Sequence, residues 1–363
     1  MRRLQRHVAA LYGFGVARIC LALALLMTAL VFAAPQKPIP EVTIPALELR
    51  EGQPEGSFPA VLTPQFVTAE RAHIAPDSLV IGCARAGTAH AYALGLLEAH
   101  EAVNDTLAGM PVVIAYCSLC DSAVAYERRT TDGTFTFAVS GWLWRNAQTL
   151  RDQETGSLWS HLTGEALSGV RKGTSLRPFD GSIARVRWSV WKRQHPETRV
   201  LSVDGVEDIP FDRFADYRHD PRQFGYYPPP YQDLRLPPKE KVVGITVGSQ
   251  ARAFRLSSLL RTPLFRATVN DRRLLLYRNP RSGAVAVWVS PEGNAPVSGE
   301  RLFGETIQGA QGQFWRASDG VALIPGIADL KPYPYRFTYW FAWSSHYPAT
   351  DIFDSESDKR ETE

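Results

Sequence analysis

Short apolar runs broken by turn residues recur along this chain, and most are too short to be helices. Pro111-Val-Val-Ile-Ala-Tyr116 is one of them and reads as a buried strand. Cys117-Ser-Leu-Cys120 follows it directly, and Asp121–Tyr126 alternates toward a second strand. Val80–Leu94 and Val242–Leu256 each read as strand, glycine-containing turn, strand, the pattern of a β-hairpin. Helical spacing shows at Leu94–His100, near Leu256–Leu260, and over Ile183–Gln194. In the last of these Val186, Val190 and Trp191 share a face, and His195-Pro196 ends it. Hairpins beside a few short helices predict an α+β, β-rich fold.

One apolar run is longer. Ile19–Ala34, sixteen uncharged residues, follows Arg2, Arg3, Arg6 and Arg18. That is short of the roughly 20 residues of a transmembrane helix and suits a signal segment. Residues 1–34 are therefore expected to be a signal peptide or an uncleaved signal anchor. Either would place the body outside the cytoplasm, in the periplasm or cell envelope, with membrane association through this segment. Residues 35–72, rich in Pro, read as a spacer, with folded structure starting near residue 73. The polar tail 354–363 reads as disordered.

Several segments match a second one downstream. Val80–Leu94 aligns without gaps to Val242–Leu256, and Trp188–Thr198 to Trp340–Thr350. Ala102-Val-Asn-Asp105 resembles Thr268-Val-Asn-Asp271, and Leu162–Gly169 resembles Leu302–Gly309. Four matches in one order imply an internal duplication, about 73–202 and 239–353, with two pseudo-symmetric repeats packed together. Between them, 203–238 is aromatic and Pro-rich, as in Phe224-Gly-Tyr-Tyr-Pro-Pro-Pro-Tyr231. So many aromatic residues argue for a linker packed on the body.

Composition narrows the function classes. The chain of 363 residues is 45% hydrophobic and 21% charged, as in a globular protein. Its 40 basic and 37 acidic residues leave a net charge of +3, without the concentrated basic surface of a nucleic-acid binder. No protein partner is legible.

The ordered set His100-Glu-Ala-Val-Asn-Asp105, Tyr116-Cys-Ser-Leu-Cys120, Ser140-Gly141, Asn146, Asp152-x-x-Thr-x-Ser-x-Trp159 and Leu162-Thr-Gly-Glu165 resembles the bacterial DUF3179 family. The resemblance implies an exported protein of unassigned activity. It marks Glu101, Asn104, Asp105, Asn146, Asp152 and Trp159 as residues supporting the site. Two positions depart from the family pattern: Ser118 stands where Pro is usual, and His161 where Gln is usual.

The duplication offers an internal control. Aligned through Tyr116 and Tyr277, Arg278 and Arg281 stand where Cys117 and Cys120 stand, and Arg266 stands opposite His100. The thiols and His100 are thus peculiar to the first half, while Asn104-Asp105 reads as shared scaffold. Three readings of the cysteine pair compete. Cys117 and Cys120 with His100 and His161 would make a copper or zinc site of Cys2His or Cys2His2 type. Cys117 and Cys120 could be a catalytic thiol–disulfide pair, one attacking and one resolving. They could also form a structural disulfide in a non-catalytic envelope module. Cys83, in a strand-like stretch, reads as a small buried hydrophobe. His90 reads as a surface strand residue and His195 as packing at a helix end.

Overall fold

The computed structural model describes residues 48–209, 214–228, 232–291 and 300–353. Residues 1–34, expected as a signal peptide or anchor, the first part of the expected spacer and the tail 354–363 lie outside the described residues. Among the described residues no helix is long and apolar enough to cross a membrane. Strands dominate and the helices are short, as the α+β, β-rich reading expects.

Each hairpin predicted from the repeated segments is present. Leu79–Arg85 pairs with Thr88–Ala93, and Lys241–Val247 with Gln250–Arg255. Each gains the same two neighbours. Ser182–Arg187 lies antiparallel to Leu79–Arg85, and Arg336–Tyr339 antiparallel to Lys241–Val247. Arg199–Ser202 and Asp351–Phe353 run parallel to the second strand of their own hairpin. A helix follows the antiparallel neighbour in both places, Trp188–Gln194 and Trp340–His346. Trp191 lies against Gly82 so closely that a Cβ there would sit 2.4 Å from the indole. Trp343 stands in the same relation to Gly244, at 2.3 Å. The indole nitrogens donate to Thr198 and Thr350, at 3.0 and 2.9 Å. Only glycine leaves room for a ring to pack this flat on a strand.

The other two repeat matches join segments with different places in the fold. Asn104-Asp105 lies in mid-strand, within Ala102–Leu107, whereas Asn270-Asp271 is the turn between Leu264–Val269 and Arg272–Arg278. Leu162–Gly169 follows the strand Leu158–Ser160, whereas Leu302–Gly309 is itself a hairpin. The stretch comparable with Leu158–Gly164 is Phe314–Gly320. Trp159 bridges Ala166 as Trp315 bridges Ala322.

Two further expectations are corrected. Folded structure begins before residue 73: Leu49–Glu51 pairs with Trp142–Trp144, and Gln65–Thr68 with Arg199–Ser202. Ile183–Gln194 is not one helix, because Ser182–Arg187 forms a strand first. The open edge of Leu79–Arg85 offers six paired positions there, and that tertiary pairing overrides a weak helical period.

A seven-stranded sheet joins the two halves and positions the thiols. Its order runs from Asp351–Phe353 through Gln250–Arg255, Lys241–Val247 and Arg336–Tyr339 to Ser122–Glu127, Met110–Cys117 and Ala102–Leu107. The join is the pair Phe337–Ala123. Tyr335 reinforces it, its hydroxyl lying 2.9 Å from the carbonyls of both Ile183 and Val285.

Candidate functional site

Met110–Cys117 and Ser122–Glu127 are wholly apolar in their central positions and buried, so both faces of this hairpin are covered. Cys117 pairs with Ser122 as the last rung, and Ser118–Asp121 form the connection. The Cys120 N–H donates to the Cys117 carbonyl at 3.2 Å, and Asp121 takes a left-handed φ of 48°. This tight turn sets the two free thiols 3.0 Å apart.

The turn is held from three directions. The Asn146 carbonyl lies 3.6 Å from Cys120 Sγ. Tyr217, on the short helix Ala215–His219, donates its hydroxyl to the Leu119 carbonyl at 2.8 Å. From the second half, the Tyr339 N–H and the Thr338 hydroxyl both donate to the Cys120 carbonyl, at 3.0 and 3.1 Å. Asn146 also fastens the aromatic linker, accepting from the N–H groups of Tyr226 and Tyr227 at 2.9 Å. The described part of that linker thus packs over the cysteine turn.

The two thiols are not equivalent. Burial raises both. For Cys117, hydrogen bonds from the Cys120 thiol and from the backbone N–H groups of Gln148, Cys120 and Leu119 outweigh burial and hold it below the ordinary thiol value. Cys120 is raised well above that value, by burial first and then by donating to Cys117 and facing its charge. Of the two sulfurs, Cys117 is the one that gives up its proton more readily, and Cys120 the one that holds it.

Cys117 also lines a cleft of about 320 Å³. Glu101 and Gln148 line it too, with Phe58, Trp142, Leu143, Phe214 and Tyr226 among its apolar walls. Cys120 does not. A bulge between Val139 and Leu143 turns the strand at this wall. Glu101 caps the helix Leu94–His100 with a φ of 54°, the left-handed region that side chains other than glycine seldom occupy. Ser118 Oγ donates to its carboxyl at 3.2 Å. Burial, and then the charge on Cys117, push the Glu101 carboxyl well above the usual range, which favours its protonated form. A second cavity, about 30 Å³ beside Trp191 and Tyr335, contains no thiol.

The proposed metal ligands do not assemble. Among the described residues no three His, Cys, Asp or Glu side chains converge as a metal site requires. His161 is committed at both ring nitrogens, with Nε2 3.2 Å from the Ser122 carbonyl and Nδ1 3.1 Å from Gln148 Nε2. Burial lowers it to about 3, so it is neutral. His100 is half-buried, with Nδ1 2.7 Å from the Pro59 carbonyl. The residues therefore do not fit a Cys2His or Cys2His2 centre, and no copper or zinc chemistry follows from them.

The supporting residues divide. Glu101 and Asn146 belong to the site. Asn104 is a clamp between strands, exchanging two 2.8 Å bonds with the backbone of Phe137. Asp105 binds His90 Nδ1 at 2.7 Å and the Tyr92 hydroxyl at 2.5 Å. His90 is thus a buried partner and not a surface residue. Asp152 accepts from the Trp159 indole at 2.7 Å, which fixes that ring among Phe135 and Phe137. Cys83 is fully buried and its thiol is pushed up by burial, as a packing residue. His195 ends its helix against Trp191, with ring centres 4.0 Å apart.

The internal control holds only in part. Arg278, paired with Val285, closes its hairpin as Cys117 does, but residues 279–284 connect it where 118–121 serve the first half. Cys120 therefore has no counterpart, and Arg266 lies in a strand rather than a helix. Sequence reasoning missed Gln148, Asp121 and Tyr217. Asp121 could have been found as the acid directly after the second cysteine. Gln148 and Tyr217 carry no local signal, since each reaches the turn from a distant segment.

Comparison with curated proteins finds no match, and no solved structure matches either. The family model described as protein of unknown function (DUF3179) matches residues 55–350. The chain belongs to the DUF3179 family.

Proposed function

We propose that Cys117 and Cys120 exchange electrons with a disulfide-bonded substrate, Cys117 attacking and Cys120 resolving. The observation that carries this reading is the asymmetry of the pair. One thiol lines a cleft with its sulfur in a ring of backbone N–H donors, and the other is sealed 3.0 Å behind it. The Cys117 thiolate attacks a substrate sulfur, forming a mixed disulfide and expelling the second substrate sulfur as a thiolate. The Glu101 carboxyl gives that thiolate its proton and then serves as base for the Cys120 thiol. Cys120 attacks Cys117, closing the internal disulfide and releasing the other half of the substrate as a thiolate. That thiolate takes up the proton left on Glu101. The substrate disulfide gains two electrons, and the cysteine pair loses them.

The same reading places the protein outside the cytoplasm, where disulfides persist. The Arg cluster before Ile19–Ala34 supports it. It also takes the two halves as a duplication in which only the first kept, or acquired, thiols. The matching sheet orders and the two glycine–tryptophan contacts support that.

Alkylation as a function of pH tests the assignment of the attacking sulfur. With its thiol lowered, Cys117 should react with iodoacetamide at a rate that rises with pH, because thiolate grows as pH passes the midpoint. That midpoint should lie below the ordinary thiol value of about 8.5. Peptide mapping should find the label on Cys117, with Cys120 and Cys83 unmodified. A midpoint at or above about 8.5, or first label on Cys120, would reverse the roles.

A further inference from the structure

The hydrogen bonds behind the cleft hold the Gln148 side chain in one orientation. The Ser122 carbonyl can only accept, so His161 Nε2 carries the proton in that 3.2 Å contact. A neutral His161 then has a bare Nδ1, which must accept from the Gln148 amide at 3.1 Å. The same amide nitrogen donates to the Tyr116 carbonyl at 3.0 Å. Both Gln148 amide protons are spent, and the side chain cannot turn over without losing two bonds. Its Oε1 is left buried with no donor. Gln148 is 3% exposed and lines the cleft beside Cys117. A buried acceptor without a donor is unfavourable, and a ligand that brings an N–H removes that cost.

The rest of the cleft restricts the ligand further. Among its described lining residues there is no Lys, Arg or His, and apart from the thiol the ionisable groups are the Glu101 carboxyl and the Tyr226 phenol. The walls are largely aromatic and aliphatic. Among these described residues an anion finds no cationic partner to offset its desolvation.

Building on the thiol-exchange reading, we infer that the cleft takes a neutral cysteinyl peptide with apolar neighbours, its backbone N–H donating to Gln148 Oε1. Glutathione, with two carboxylates, is disfavoured. The sulfur of such a peptide reaches Cys117 while its chain satisfies Gln148, so recognition and attack share one side of the cleft.

The test varies the ligand and leaves the protein intact. The full chain, reduced, is mixed with the homodisulfide of N-acetyl-Phe-Cys-amide, with the same peptide N-methylated at Cys, and with oxidised glutathione. Release of thiol is followed. A neutral aromatic disulfide without an N–H, 4,4′-dithiodipyridine, serves as the general probe of the thiols. The peptide should react about tenfold or more faster than glutathione disulfide, and N-methylation should slow it about three- to tenfold, the worth of one hydrogen bond. Equal rates for all three, with dithiodipyridine reacting normally, would overturn the recognition by Gln148 and leave the exchange chemistry standing. No reaction with dithiodipyridine would overturn both.

Discussion

Cys120→Ser should convert the protein into a trap. Cys117 keeps its backbone donors, and a serine hydroxyl at 120 still offers it a hydrogen bond, so attack on a disulfide proceeds. Without a second sulfur the mixed disulfide cannot resolve internally, and it should accumulate to one equivalent, visible as an added mass on the Cys117 peptide. Cys117→Ser removes the attacking sulfur itself. Exchange should then fall by about three orders of magnitude or more, since Cys120 does not line the cleft and holds its proton. Turnover by Cys117→Ser comparable to wild type, or a persistent adduct on Cys120 in that variant, would contradict the assignment.

The largest effect on stability is expected at Asp121. This carboxylate is fully buried. Arg185 lies 3.1 Å from Oδ1, Lys241 lies 2.9 Å from Oδ2, and the Tyr116 hydroxyl donates at 2.9 Å. Burial would raise Asp121, but Arg185 and then Lys241 hold it below the usual carboxylate range. Arg185 comes from the first half and Lys241 from the second, so one carboxylate neutralises cations of both halves beside the cysteine turn. Asp121→Ala leaves Arg185 unpaired in a poorly solvated site, while the more exposed Lys241 keeps water, so the cost should be about 3 kcal/mol, the low end for a broken buried pair. Urea unfolding followed by tryptophan fluorescence should show the midpoint lowered with an unchanged slope. A change within about 0.5 kcal/mol, as for an ordinary surface substitution, would mean that the pair of cations is solvated after all. The sign with pH is fixed by the lowered value. The Asp121 contribution is complete above its unfolded value, about 3.9, and is lost as pH falls below that through the folded value.

Legibility followed the range of the interactions. The Cys117–Cys120 hairpin and the helix Leu94–His100 depend on contiguous residues, and the sequence reading placed both. The repeated hairpins were also legible, because fifteen-residue matches carry a whole supersecondary unit. Four-residue matches such as Ala102–Asp105 with Thr268–Asp271 do not, and there the register was misjudged. Leu49–Glu51 and Gln65–Thr68 show no period of their own and become strands only through distant partners, Trp142–Trp144 and Arg199–Ser202. The metal reading failed for a related reason. His161 is near the thiols, yet its two nitrogens hold Ser122 and Gln148, and nothing local in Trp159-Ser-His161 reveals that commitment. Gln148 and Tyr217, which shape and hold the site, reach it from outside the hairpin and could be found only in three dimensions.

The central claim is that Cys117 and Cys120 cycle between dithiol and disulfide. Equilibrating the full chain across a series of reduced and oxidised dithiothreitol mixtures, followed by acid quenching and mass measurement of the 117–120 peptide, tests it most directly. The expected result is a reversible loss of two hydrogens from that peptide alone, with the slope of a two-electron couple. A pair that stays reduced, or stays oxidised, across the whole series would contradict it.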